Sequence, residues 1–244
     1  MTAPTGAADR GGDPGRQWAS FTVEPFTDAC HTIRERGEHV VLGVSPGNSY
    51  FQVGLLTGLL GWLRAEFARV DVVIPDSALE HTYLALGYDP RRARKKARGE
   101  TNAVRNRVVR AWEANGGPRD ADGLHRMSDL AANEVYRDVL AECERALGED
   151  DVLWETCAEM SRDVLTARGH EGPITGEHIE QAMRYLTAEL PFFLASADIF
   201  GVRSSLNFYH QSLPLAELVF AGKSTLHPSP RQGYAMIRPA PERG

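Results

Sequence analysis

HVVLGVSPGNSYFQVGLLTGLLGWLRAEFARVDVVIP, residues 39–75, decides the fold. His39 to Val44 is a short, unbroken apolar run, with charge before it and Ser-Pro-Gly-Asn after it. Continuous apolar runs of this length mark strands buried on both faces, as parallel strands are. An amphipathic stretch from about Tyr50 to Arg69 predicts a helix, and Val70 to Pro75 predicts a second strand. Strand, loop, helix and strand in roughly 40 residues form a βαβ unit. The fold class is therefore α/β: a Rossmann-like parallel sheet flanked by helices.

Working outward, residues 90–115 predict a helix with a basic face, and 121–147 and 152–168 are helical by periodicity. Thr175 is an N-cap for a helix through about Leu190, where Pro191 is expected to end it. Ser204 to Tyr209 predicts a late strand. Residues 1–17 are rich in Gly, Ala, Pro and Asp and are expected to be a disordered lead-in. Residues 18–228 form one catalytic domain on this reading, and 229–244, with several prolines and little periodicity, form a C-terminal surface arm.

With 244 residues, 42% of them hydrophobic, the chain can bury a full core without staples. Cys30, Cys143 and Cys157 are far apart and form no CxxC, which argues against a disulfide framework and against a zinc site, and for a reducing, cytoplasmic setting. The N-terminus has no apolar core of signal-peptide length. The longest apolar stretch, Val53 to Leu63, falls well short of the roughly 18 residues a membrane span needs. No membrane, metal or cofactor is expected, and the oligomeric state is left open with a monomer as the default.

The net charge of −6 argues against a polyanionic partner until its distribution is considered. Between residues 91 and 110 lie nine bases (Arg91, Arg92, Arg94, Lys95, Lys96, Arg98, Arg105, Arg107 and Arg110) and one acid, Glu100. That window carries +8 and leaves −14 for the rest of the chain. It fits either a solvated helix face or a surface for phosphates.

Three places carry candidate chemistry. Gly43 to Phe51 lies past the carboxyl end of a strand, where open α/β sheets place ligands. Ser45 at that edge could be a turn residue or N-cap, or a nucleophile served by the free N–H groups of the following helix start. Gly43-Val44-Ser45-Pro46-Gly47 has the spacing of GxSxG, but no candidate acid and histidine follow it in lipase-like order, and no phosphate loop or GxGxxG is present. Tyr185 and Glu189, four apart, share a helix face among apolar neighbours. A buried carboxylate there needs a partner: the tyrosine, a basic side chain, or a substrate ammonium. Tyr209 and His210 end the late strand on opposite faces, as a structural pair or as part of a site.

Together, GVSPGNSYF at 43–51, the basic helix, YLTAELPFF at 185–193, and Tyr209-His210 resemble, in this order, the cyclodipeptide synthases, tRNA-dependent enzymes of bacteria. The resemblance covers roughly residues 20–225. It implies a fold akin to the catalytic domain of tyrosyl- and tryptophanyl-tRNA synthetases, without their ATP motifs. It also implies two aminoacyl-tRNAs as partners, used in turn. The first aminoacyl group moves to a serine, the second substrate's amine attacks that ester, and a dipeptidyl-enzyme cyclises to a diketopiperazine.

Carried over by position, Ser45 is the nucleophile, Tyr185 and Glu189 hold the ammonium, and Tyr209 positions the ester. Gly43 lets substrate pass close to the strand end. Asn48, Tyr209 and His210 match the larger of two subgroups. The nine bases are the tRNA-binding surface. Val41, Phe192 and Asn207 are expected to line a first side-chain pocket and Leu213 and Pro214 a second, implying at least one hydrophobic amino acid. No general base for Ser45 is evident in the sequence; a ribose hydroxyl of the tRNA could relay the proton. A serine-dependent hydrolase or acyltransferase, or a tRNA-binding module without catalysis, are the alternatives.

Overall fold

The computed structural model describes residues 20–118 and 122–240. The expected lead-in at residues 1–17 lies outside them. The buried run read from the sequence is β2 (His39–Gly43), and the βαβ unit is completed by α2 (Val53–Glu66) and β3 (Arg69–Ile74). β1 (Phe21–Pro25) and α1 (Asp28–Arg36) precede it. After it come α3 (Leu79–Ala85), α4 (Pro90–Ala114), β4 (Leu124–Arg126), α5 (Met127–Leu130), α6 (Glu134–Glu149), α7 (Asp151–Ala167), α8 (Gly176–Ile199), β5 (Ser205–Tyr209), α9 (Pro214–Phe220) and β6 (Gln232–Pro239).

The sheet runs β1-β6-β5-β2-β3-β4. All pairings are parallel except β1 with β6 at one edge. Strand order reverses at β2, with β3 and β4 on one side and β5 and β6 on the other. In such sheets ligands bind outside the carboxyl ends of the strands at the switch point, here between β2 and β5.

Side-chain alternation along β2 sets its two faces. Val40 and Leu42 pack with the leucines of α2 and with Val104 and Val108 of α4. Val41 points the other way, toward Phe192 and Ile199 of α8. A further cluster joins α6, α7, α8 and α9.

Three expectations need correcting. Within the expected C-terminal arm, Gln232–Pro239 is in fact β6, hydrogen-bonded to both β1 and β5, with Gly233, Tyr234, Ala235 and Ile237 buried. Flanking prolines bracket this strand and masked it in the sequence. Pro191 does not end α8; the helix continues to Ile199, with a break in helical geometry at Ala195. An interior proline costs a hydrogen bond and about 3 kcal/mol. Burial of Leu190, Phe192, Phe193, Leu194 and Ile199 outweighs that cost. The helix expected over 121–147 is divided: Leu124–Arg126 pairs with β3, and Asn133, accepting from the Tyr136 N–H, caps a new helix.

A buried polar network crosses the amino-terminal ends of the strands. His39 bonds Ser205 Oγ at 2.8 Å and Asp71 at 2.7 Å; His125 and Arg69 also reach Asp71, both at 2.6 Å. Burial pushes the Asp71 carboxyl up, but bonds from His125 and His39, with Arg69, outweigh this and hold it below the usual carboxylate range. Ser205–His39–Asp71 has the bonding order of a hydrolytic triad. Yet Ser205 and Asp71 expose no surface and His39 exposes 1%. No substrate reaches them, and the network ties β2, β3, β4 and β5 together.

Candidate active site

β2 ends at Gly43, and the Val44 N–H bonds the Val73 carbonyl before the chain leaves the sheet. Ser45 opens a turn closed by the Asn48 N–H on the Ser45 carbonyl at 3.2 Å. Gly47 takes φ 78° at its third position, a conformation that favours glycine. Asn48 Oδ1 then accepts from the Tyr50 N–H at 2.9 Å and fixes the next bend. α2 starts only at Val53, so this loop, and not a helix end beside Ser45, shapes the serine's surroundings.

Ser45 Oγ lies 2.9 Å from the phenol oxygen of Tyr209, at the end of neighbouring β5. Burial raises the Tyr209 phenol above its ordinary value, against the opposing Ser45 bond, so the phenol is neutral. Among the described residues no histidine or carboxylate bonds Ser45 Oγ, which sets this site apart from a hydrolytic triad.

The serine faces a cavity of ≈ 790 Å³ bounded by the β2 and β5 ends, α3, α4, α7 and α8. Tyr185 and Glu189 on α8 line it, the phenol beside the carboxyl. Both sit deep in the protein while keeping some surface open to the cavity. Burial pushes the Glu189 carboxyl up to about 7, against the Tyr185 bond that pulls it down. Among the described residues no lysine or arginine pairs with it.

The other residues singled out from the sequence fall around these. Gly43, Asn48, Val41, Phe192, Asn207, Leu213 and Pro214 all line the cavity. A Cβ added at Gly43 would meet no atom of the surrounding protein within 4 Å, so the space directly above it is open to a ligand. Val41 and Asn207 are register partners, and Asn207 donates to the Phe192 carbonyl at 3.2 Å. His210 stands behind the wall: it stacks on Tyr50 at 4.3 Å, with Nε2 3.5 Å from Asn48 Nδ2. Burial lowers it to about 4, so at neutral pH it is an uncharged, weak base.

The sequence model described as cyclodipeptide synthase matches residues 21–239, nearly the whole described chain. The chain belongs to the cyclodipeptide synthase family. It is 38% identical over 220 residues to cyclo(L-tyrosyl-L-tyrosyl) synthase of Mycobacterium tuberculosis, covering 90% of this chain and 76% of that one. It is 32% identical over 228 residues to cyclo(L-leucyl-L-leucyl) synthase of Bacillus subtilis, covering 91% of each. A solved structure from M. tuberculosis, reported to relate cyclodipeptide synthetases to type I tRNA synthetases, superposes with TM-score 0.79 at 37% identity, over 96% of this chain and 99% of that one. The protein is thus an aminoacyltransferase, a tRNA-dependent cyclodipeptide synthase with an α/β fold related to those synthetases.

In this synthase the basic helix is α4. Arg91, Arg92, Arg94, Lys95, Lys96, Arg98 and Arg110 are exposed, and Arg105 and Arg107 are half-buried. Some are already engaged: Arg94 pairs with Glu80 at 3.2 Å, Arg92 with Asp89 at 3.5 Å, and Arg107 donates to the Phe51 carbonyl at 3.4 Å. Lys96 lies over the rings of Tyr88 and Tyr83 at the cavity wall, 4.8 and 5.8 Å from their centroids. Sequence reasoning missed Arg168, at the end of α7, which reaches into the serine loop. Its one legible signal was its partner, Glu100, the lone acid among the bases.

Proposed function

We propose that Ser45 is the nucleophile and accepts the aminoacyl group of a first aminoacyl-tRNA as an ester. The observation that carries this reading is the meeting, in one cavity, of a serine bonded to a neutral phenol and a half-buried carboxylate that pairs with no cation among the described residues. The substrate's α-ammonium completes the carboxylate's surroundings and sets the acyl carbon against Ser45 Oγ. An aminoacyl ester is already activated, so the step needs no ATP. Ser45 loses its proton toward the departing ribose oxygen, with Tyr209 orienting the hydroxyl.

Atom balance settles the direction of the second transfer. Attack by the second substrate's amine on the Ser45 ester would return the growing chain to tRNA and free Ser45. A dipeptidyl-enzyme forms only if the amine of the Ser45-bound residue attacks the second ester carbonyl and releases the second tRNA. The new terminal amine then attacks the Ser45 ester, closing the six-membered ring and restoring the hydroxyl. Each attack needs a neutral amine. A carboxyl near 7 is matched to exchange a proton with an α-amino group of ordinary value about 7.7–8.0, so Glu189 both holds the ammonium and takes its proton.

Apolar walls at Val41, Val73, Met127 and Phe192 favour a hydrophobic first amino acid. Exposed bases of α4 hold tRNA phosphates in a sequence-tolerant, salt-sensitive way. Asn48, Tyr209 and His210 support assignment to the larger subgroup. The test is product formation from purified protein and a pool of aminoacyl-tRNAs, followed by mass spectrometry: the natural chain should yield diketopiperazines and Ser45→Ala none. Undiminished product from Ser45→Ala would end the nucleophile assignment.

A further inference from the structure

Glu100 is out of place electrostatically. It interrupts a basic face and stands at the cavity wall, where a lone carboxylate would repel phosphate. It is matched by Arg168 from α7, whose Nη1 lies 3.1 and 3.3 Å from its two carboxylate oxygens. The same Nη1 is 3.2 Å from the Tyr83 hydroxyl. Nη2 of Arg168 donates to the Pro46 carbonyl at 3.0 Å, one residue past Ser45. The turn fits against this pair closely: a Cβ at Gly47 would come within 2.9 Å of Glu100 Oε2 and 3.0 Å of Arg168 Nη2. Each partner exposes less than a third of its side chain.

We infer that Arg168 is a positioning residue for Ser45: braced by Glu100, it fixes the Ser45–Gly47 turn by gripping the Pro46 carbonyl. The inference rests on Ser45 being the nucleophile. The planar guanidinium has donors in fixed directions, and both of its terminal nitrogens are bonded to protein groups. That favours a brace over a free phosphate contact. It also gives the acid in the basic helix a purpose, since Glu100 neutralises the arginine and sets its plane. Rate is steeply sensitive to such placement: a shift of about 1 Å at a reacting group costs on the order of a hundredfold.

The test uses the full chain and follows single-turnover acylation from a labelled aminoacyl-tRNA, with tRNA affinity, its salt dependence and thermal melting measured alongside. Arg168→Met should lower the acylation rate at saturating tRNA by roughly 10- to 100-fold, with tRNA affinity and its salt slope unchanged within about twofold. Arg168→Lys, which can keep one of the two grips, and Glu100→Gln, which keeps an acceptor but not the charge, should fall between it and the natural protein. An unchanged rate in Arg168→Met overturns the inference. So does a loss recovered by raising tRNA concentration with a shallower salt slope, which would make Arg168 a phosphate contact. If Arg168→Met does not fold, natural rates in both milder variants overturn it equally. Ser45→Ala run in parallel separates the two readings: acylation of that variant defeats the nucleophile assignment, whereas a dead Ser45→Ala beside a normal Arg168→Met defeats the brace alone.

Discussion

Replacing Glu189 by glutamine should damage catalysis and stabilise the fold together. The amide nearly matches the carboxyl in shape and can still accept from Tyr185, but it cannot ionise. In the natural protein the carboxyl is raised from 4.5 to about 7 by burial. Below about 4.5 it is protonated in both folded and unfolded chains and costs nothing. As pH rises through 7 the unfolded chain is already ionised and the folded one must follow, so stability is lost across that interval. An interval of about 2.5 pH units corresponds to about 3 kcal/mol, an upper figure because cavity water screens part of it. At 2–4 °C per kcal/mol for a domain of this size, Glu189→Gln should melt above the natural protein at pH 9, by at most roughly 6–12 °C, and level with it near pH 4. Catalysis should fall by roughly 10- to 150-fold, as expected for losing a charge-assisted contact of about 1.5–3 kcal/mol. Melting curves across pH, with product assays, read both effects. A mutant less stable than the natural protein at pH 9 would show that Glu189 is a satisfied structural charge, and full activity would show that it does not hold the ammonium.

Other outcomes follow from the same geometry. Tyr209→Phe removes the hydroxyl 2.9 Å from Ser45 but keeps the ring against Phe51, so acylation should slow by about 10-fold or more with little change in melting temperature. Ser205→Ala should leave the cyclisation rate unchanged despite the triad-like order around it, because that serine is sealed in the sheet; loss of rate in a folded Ser205→Ala protein would mean the network has catalytic work. Reversing Arg91, Lys95 and Arg98, three exposed bases on one stripe of α4, should weaken tRNA binding and flatten its salt dependence by roughly 0.7–0.9 per lost phosphate contact, with thermal stability nearly unchanged. Transfer from an ester carrying only a short 3′-terminal oligonucleotide should suffer less, and equal loss on both substrates would place these bases near the reacting centre.

What the sequence revealed depended on whether local pattern and tertiary packing agreed. β2 was legible because both of its faces are buried, and the run from His39 to Val44 states that without help from distant residues. The β2–α2–β3 unit followed from it. The Tyr185–Glu189 spacing placed both side chains on one helix face, and the helix delivers them to one cavity. Elsewhere packing overrode the local signal. Pro191 reads as a stop, but α8 continues because its far half is embedded between the sheet and α6. β6 reads as a tail because prolines surround it; only the free edges of β1 and β5 make it a central strand. Arg168 was invisible for a similar reason: its partners, Glu100 and Pro46, lie 68 and 122 residues away.

The covalent step is the centre of the account, and it can be caught directly. The purified protein, in excess over a single labelled aminoacyl-tRNA so that few acyl-enzymes meet a second donor, is quenched in acid within the first turnover. Digestion and mass spectrometry then locate the label. The aminoacyl mass should sit on the peptide containing Ser45, at up to one equivalent, and should be absent from Ser45→Ala. Label on another residue, or equal label on Ser45→Ala, would contradict the account.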